Sequence, residues 1–359
     1  MKKYNLLNIA YLKKQKKFSL KRKIKRKNKK KIRNYTNIII ASAIILIIII
    51  LFKKFPKNLS FKTSLPFNYN KIYKKEKEIT NSMKVCVCTL AKLENKYIRE
   101  FVQHYENYGV DKIFLYDNND INGEKFEEVI DDYIKKGFVQ ILNWRGKYEA
   151  MKKIMDDCYQ QNYKNYDWLL FYEIDEFIHL SDYSNVKLFL NEQKFAQCKK
   201  IYLNLVCHTD NNKLYYENKP LKERFPQIVP NTKPGGQVYE VKTIMRGHMD
   251  GVFIFNNHLC DEKIKGCNST GKYDLITGGF WSRNIDQKHY IDHYYSKSTE
   301  EFINKITKGD AIRNDPGYVY ERIHKYFMQS EITKEKIDMI EKKAKVYLHR
   351  YKKLINYKN

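Results

Sequence analysis

The stretch "WLLFYEIDEFIHL", Trp168 to Leu180, decides how this chain is read. Its first five residues are bulky and apolar, the mark of a strand buried on both faces of a parallel sheet. The run stops at Glu173, Asp175 and Glu176, then resumes at Phe177 and Ile178. Carboxylates crowded at the end of a core strand repel one another, and such a group is sustainable when a cation sits among them. Hard divalent cations take carboxylate oxygens, often with only one or two from the protein and the rest from substrate phosphates; Mn2+ also accepts imidazole. A short acidic turn is otherwise a solvated loop or a helix cap, so its place in the chain carries the weight.

Working back from it, strand and helix patterns alternate. "KVCVCTL" (84–90), "KIFLY" (112–116) and "FVQIL" (138–142) read as buried strands, with "WLLFY" (168–172) as the fourth. Between them Ile98, Phe101, Val102 and Tyr105, then Phe126, Val129, Ile130 and Tyr133, then Ala150, Met151, Ile154, Met155 and Cys158 recur at helical spacing, with Gly109 and Gly137 as stops. This alternation predicts an α/β fold, a mostly parallel central sheet with helices on both faces. Ligands of such sheets bind beyond the carboxyl ends of the strands. The acidic turn, "TLAKLEN" (89–95) and "DNND" (117–120) all stand there. Further on, "KIYLNLV" (200–206) and "YEVKTIM" (239–245) read as strands, Ser298 and Glu301 as a capping box, and Thr333 to Leu354 as a basic terminal helix.

The formal charge of +27 belongs to the amino-terminal part. Residues 1–36 hold 16 Lys or Arg and no acid, and residues 53–84 add +7, leaving +4 for residues 85–359. No basic stripe interleaved with stacking aromatics occurs, so the composition speaks against a nucleic-acid partner. Ile38 to Phe52 is wholly apolar apart from Ser42; with 37–52 taken as the span and lysines following, it predicts one transmembrane signal anchor. The basic tail stays in the cytoplasm and residues 53–359 cross, with 53–83 as a flexible stem. Seven cysteines leave at least one free thiol; Cys86 and Cys88 read as core, Cys260 and Cys267 as the expected disulfide. Asn58 and Asn268 open glycosylation sequons, usable in a lumenal domain.

The blocks "NKYIREFVQHYENYGVDKIFLYDNND", "WLLFYEIDEFI", "LKERF", "VKTIMRG" and "IDHYYSKSTEEFINK" follow in this order. Together they resemble glycosyltransferase family 92 and related GT-A proteins, over about residues 84–310. The resemblance implies a GT-A fold as the catalytic domain, followed by a helical extension at 311–359. It implies type II topology in the Golgi with a lumenal catalytic domain, and inverting transfer of a hexose, galactose above all, from a UDP-sugar to a glycan or glycoprotein acceptor. By motif position Asp175 is the main metal ligand, with Glu173, where the family usually has Asp, and His293 completing a site for Mn2+ or another divalent cation. His293 also reads as a histidine packed among Tyr290, Tyr294 and Tyr295. Thr89, Glu94 and Asp117 would hold the nucleoside, Glu149 would lie near the sugar, and Lys297 would touch phosphate. Asp210, in "CHTDNN" (207–212), is the expected catalytic base, with Glu240 and Asp250 open. The other class of reading is an inactive, membrane-anchored nucleotide- or glycan-binding module. The oligomeric state is not legible in the sequence.

Overall fold

The computed structural model describes residues 69–147, 151–230, 240–258, 260–261, 263–274, 286–308 and 316–356. The basic tail, the apolar segment at 37–52, Asn58 and Glu149 lie outside them. Among the described residues no helix is long and apolar enough to cross a membrane.

The described chain opens with helix α1 (Tyr69–Ser82), so the end of the expected stem is helical. Lys187 anchors it: the ammonium donates to Thr80 O at 2.9 Å and pairs with Asp111 at 2.8 Å, a cation placed where a helix end carries negative partial charge. The alternating half follows as β1 (Val85–Ala91), α2 (Ile98–Asn107), β2 (Lys112–Asp117), α3 (Glu127–Lys135), β3 (Val139–Asn143), α4 (Met151–Asn162) and β4 (Trp168–Phe171). These strands are parallel, in the order β3-β2-β1-β4. The pleat sends Val85 and Val87 to the side of Ile98, Phe101 and Tyr105, and Cys86 and Cys88 to the side of Ile154 and Met155. Gly109, past the end of α2, takes φ 77°. Any Cβ there would also meet the Asn185 amide nitrogen at 2.0 Å, so glycine is required twice over.

The second half comprises β5 (Glu176–Leu180), α5 (Val186–Leu190), β6 (Lys200–Cys207), α6 (Leu221–Arg224), β7 (Val241–Arg246), β8 (Gly266–Asn268), β9 (Tyr273–Asp274) and β10 (His289–His293). The sheet runs β3-β2-β1-β4-β7-β6-β10-β5, with β8 beside β6 and β9 beside β8. β7 is antiparallel to both neighbours and β5 is antiparallel to β10. The sheet is therefore mixed rather than mostly parallel, because the second half lacks the regular helical crossovers that enforce parallel pairing. β4 and β5 are joined only by Tyr172–Asp175 yet lie four strand positions apart. Flat, that is roughly 19 Å, more than a tight turn can span. The sheet consequently curls, and the acidic turn closes the curl.

Helices α7 (Thr299–Thr307), α8 (Pro316–Gln329), α9 (Lys334–Ala344) and α10 (His349–Asn356) follow. The capping box forms as expected: Ser298 Oγ accepts from the Glu301 N–H, and the Glu301 carboxylate accepts from the Ser298 N–H. Tyr295, Phe302 and Ile306 share one core with Ile323, Tyr326, Ile337 and Tyr351, so α7 packs with the helices that follow it. The expected terminal helix is two, broken where Lys345 takes φ 54°.

The disulfides differ from expectation. Cys88 bonds Cys158, joining β1 to α4, and Cys198 bonds Cys267. Cys260 cannot reach Cys267 because the two belong to cores on opposite faces of the sheet. Cys86, Cys207 and Cys260 are free and buried. Asn268 is buried, with its Oδ1 accepting from the Thr270 N–H and hydroxyl, so the folded state does not present this sequon.

The bridges close loops of 70 and 69 residues. The Cys198→Ala/Cys267→Ala double variant is expected to lose about 2–4 kcal/mol in denaturant unfolding; an unchanged midpoint would contradict this role.

Candidate active site at the turn between strands β4 and β5

The turn is locked by its own backbone. The Glu176 N–H donates to Glu173 O at 3.0 Å, and the Glu173 N–H donates to Glu176 Oε2 at 3.0 Å. From α2, the Tyr105 hydroxyl donates to Glu176 O at 2.9 Å. β10 pairs with β5 in a register that sets His293 opposite Glu176, and the Tyr294 N–H donates to Asp175 O at 2.9 Å.

The result is a buried triangle. Asp175, Glu176 and His293 are 6%, 0% and 5% exposed. One ligand atom from each lies within 4.8 Å of the others; His293 Nε2 is 3.8 Å from Asp175 Oδ1 and 3.9 Å from Glu176 Oε1. Burial pushes the His293 imidazole down to about 3, so the ring is neutral at ordinary pH. Its Nδ1 lies 3.8 Å from Cys207 Sγ, which leaves Nε2 toward the carboxylates. Burial, then the Glu173 and Asp175 charges, push the Glu176 carboxyl well above its usual range. Its Oε1 lies 3.0 Å from Lys242 Nζ but accepts no directed hydrogen bond. Two carboxylates, a neutral imidazole and an under-satisfied buried oxygen fit a small hard cation.

Each carboxylate also has an ammonium beside it. Lys242, fully buried on β7, lies 2.9 Å from Glu173 and 3.0 Å from Glu176. Burial alone would lower Lys242, but the two carboxylates outweigh it and raise it. Lys305 donates to Asp175 Oδ2 at 2.7 Å, and Lys297 Nζ stands 3.8 Å from the same oxygen. Burial would raise the Asp175 carboxyl; Lys305, Lys297 and His293 together hold it well below the usual carboxylate range. Lys297 sits at φ 49°, an uncommon backbone for a side chain of its size. A cavity of about 380 Å³ adjoins, lined by Glu94, Lys96, Tyr97, Lys297, Lys305 and Lys308 among others.

Of the residues singled out from sequence, Asp175 and His293 meet here, and Glu94 and Lys297 line the adjoining cavity. The third member of the triangle is Glu176, not Glu173, whose side chain is 36% exposed and turned toward Lys242. Thr89, inside β1 two residues before its end, is buried with no hydrogen-bond partner for its hydroxyl. Asp117, at the end of β2, pairs with Arg145 at 2.7 Å. Asp210 is committed elsewhere: Lys336 lies 2.6 Å from its Oδ2, to which Tyr326 also donates at 2.7 Å. Its carboxylate pins the helical unit to the strand end and offers no free oxygen to an acceptor. Asp250 accepts from the Tyr163 hydroxyl beside α4 at 2.7 Å. Glu240 pairs with Lys325 at 3.2 Å, and its carboxyl is lowered by Lys325, His258 and His293 against the effect of burial. Sequence reasoning gave no role to Lys242, Lys305 and Lys308, although the first two stand inside the "VKTIMRG" and "EEFINK" blocks.

The glycosyltransferase family 92 model matches residues 81–311. A family 92 protein of Ricinus communis is 24% identical over 125 residues, covering 35% of this chain and 22% of that protein. One of Oryza sativa subsp. japonica is 31% identical over 114 residues, 31% of this chain and 18% of its own length. The matches thus span about a fifth of those relatives. Among solved structures, S. aureus TarS 1-349 in complex with UDP-GlcNAc aligns with a TM-score of 0.34 at 11% identity, over 70% of this chain and 77% of that one.

Two outcomes follow from the charges. Asp210→Asn leaves the Lys336 ammonium buried without its counterion, so denaturant unfolding should show a loss of about 3 kcal/mol. His293 has a folded value below its unfolded one, so the unfolded state binds the proton first and stability falls as pH drops below the unfolded value of about 6.5. Between pH 7 and 5 the parent should lose about 2 kcal/mol more than His293→Gln; parallel losses would show that His293 is not held neutral.

Proposed function

The chain belongs to glycosyltransferase family 92, and from that premise we propose that it is a GT-A type hexosyltransferase. It would move a sugar, galactose in the first place, from a UDP-sugar to a hydroxyl of a glycan or glycoprotein acceptor, with inversion. The observation that carries this reading is the buried Asp175–Glu176–His293 triangle opening beside a lysine-lined cavity. A nucleoside diphosphate needs concentrated positive charge, and these residues supply it at the carboxyl end of a central strand.

Asp175, Glu176 and His293 would hold Mn2+ or another divalent cation. When bound, that cation supplies Lewis-acid stabilisation of the diphosphate as it departs. Lys297 supplies fixed charge toward the same phosphates, and Thr89, Glu94 and Asp117 lie at or close to the strand ends where the nucleoside would rest. Lys242 holds Glu173 and Glu176 in place from beneath. The general base moves from Asp210 to Glu240. This carboxylate is held ionised beside Lys325, and its side chain is 22% exposed where that of Asp210 is 2%. It would take the proton of the acceptor hydroxyl as that oxygen attacks the anomeric carbon, opposite the leaving diphosphate.

One observation favours the inactive binding module: Glu173, Asp175 and Glu176 already have ammonium partners. A module would bind UDP without releasing it from a UDP-sugar. For topology, we retain residues 37–52 as a signal anchor and place the catalytic part in the Golgi lumen; two disulfides suit such an oxidising compartment.

The test is release of UDP from a panel of UDP-sugars by the full chain, with acceptor glycans and with or without Mn2+. Asp175→Asn and Glu240→Gln should each lower turnover by about 10²-fold or more while the protein stays folded. Undiminished turnover in Asp175→Asn would remove the assigned site; in Glu240→Gln, the assigned base.

A further inference from the structure

Lys305 has two possible destinations for one charge. Its ammonium donates to Asp175 Oδ2 at 2.7 Å, and the same side chain lines the adjoining cavity with Lys96, Lys297 and Lys308. The acids of that cavity are otherwise engaged. Glu301 is paired with Arg224 at 2.8 Å, Glu124 accepts from the Asn95 N–H at 2.9 Å, and Glu94 is ion-paired with Lys308. An anion entering the cavity would therefore meet Lys297, Lys305 and Lys308, whose ion-pair partners among the described residues are Glu94 and Asp175.

The two lysines at Asp175 differ in freedom. Lys297 is fixed by its left-handed backbone and by the Tyr97 ring, 4.1 Å from its ammonium. Lys305 projects from α7 with its side chain 24% exposed against 6% for Lys297, although its ammonium also lies 4.3 Å from the Tyr295 ring. A dication and an ammonium on the same carboxylate repel strongly in a low-dielectric site. Cation entry at Asp175 thus disfavours the Lys305 contact, and an anion in the cavity gives that ammonium another partner.

We propose that Lys305 is an exchangeable counterion, resting on Asp175 in the empty protein and passing to the diphosphate of the donor as cation and nucleotide bind. The proposal rests on the donor-binding reading above. It makes the two ligands cooperative: each removes an obstacle to the other.

The test is calorimetric binding by the full chain of Mn2+ alone, and of UDP at saturating Mn2+, with Lys305→Ala and Lys308→Ala beside the parent. Lys305→Ala should bind Mn2+ alone about tenfold tighter and UDP about tenfold weaker, the scale of one charge-assisted hydrogen bond. Lys308→Ala, which frees Glu94 rather than Asp175, should weaken UDP without tightening Mn2+. Opposite shifts in one variant are what a merely structural lysine would not produce. Should Lys305→Ala fail to fold, Lys305→Met keeps an apolar stem of similar length and carries the same expectation. A folded variant with both affinities unchanged, or both weakened, overturns the counterion role and leaves the donor reading standing. A parent that binds neither Mn2+ nor UDP overturns both.

Discussion

The structure depends on keeping the buried Asp175 and Glu176 carboxylates, with the partly exposed Glu173 beside them, ionised or hydrogen-bonded. An unpaired buried carboxylate is unstable by several kcal/mol, so the turn at Glu173–Glu176 could not exist alone. β7 answers it with Lys242, α7 with Lys305, and the loop before α7 with Lys297. These contacts draw the parallel half, the antiparallel strands and the helical unit onto one point. The curl of the sheet has the same origin, since only a curled sheet lets so short a turn deliver Glu176 opposite His293.

That arrangement separates two kinds of buried charge. Asp210 with Lys336, and Glu301 with Arg224, are saturated: each oxygen faces a donor in a fixed geometry, and they hold helices in place. The turn is different. Glu176 Oε1 has ionic contacts without a directed hydrogen bond, the ion-pair partners of His293 Nε2 among the described residues are carboxylates at 3.8 and 3.9 Å, and a cavity opens alongside. Incomplete satisfaction next to open space is what marks a ligand site against a structural ion pair.

The parallel half was legible in the sequence because its strands are uniform apolar runs and its helices keep a strict apolar spacing. That Asp175 and His293 come together was legible as well, the first from an interrupted core strand and the second through the family resemblance. The rest was hidden for identifiable reasons. The choice of Glu176 over Glu173 depends on which way two carboxylates turn once Lys242 arrives from a strand some 70 residues away, as the chain separation of their contact shows. Asp210 reads like a base in a polar loop, and only the fold reveals Lys336 beneath it. The disulfides were misjudged because nearness in sequence says nothing about which face of a sheet a cysteine occupies. Lys305 sits on an amphipathic helix whose polar side looks solvated until it is seen to meet the acidic turn at Asp175.

Electron spin echo spectroscopy of Mn2+ added to the full chain tests the central claim most directly. The account predicts nitrogen modulation from the His293 imidazole, lost in His293→Gln, and phosphorus coupling when UDP is added. A signal identical to hydrated Mn2+, indifferent to His293→Gln and Asp175→Asn, would contradict it.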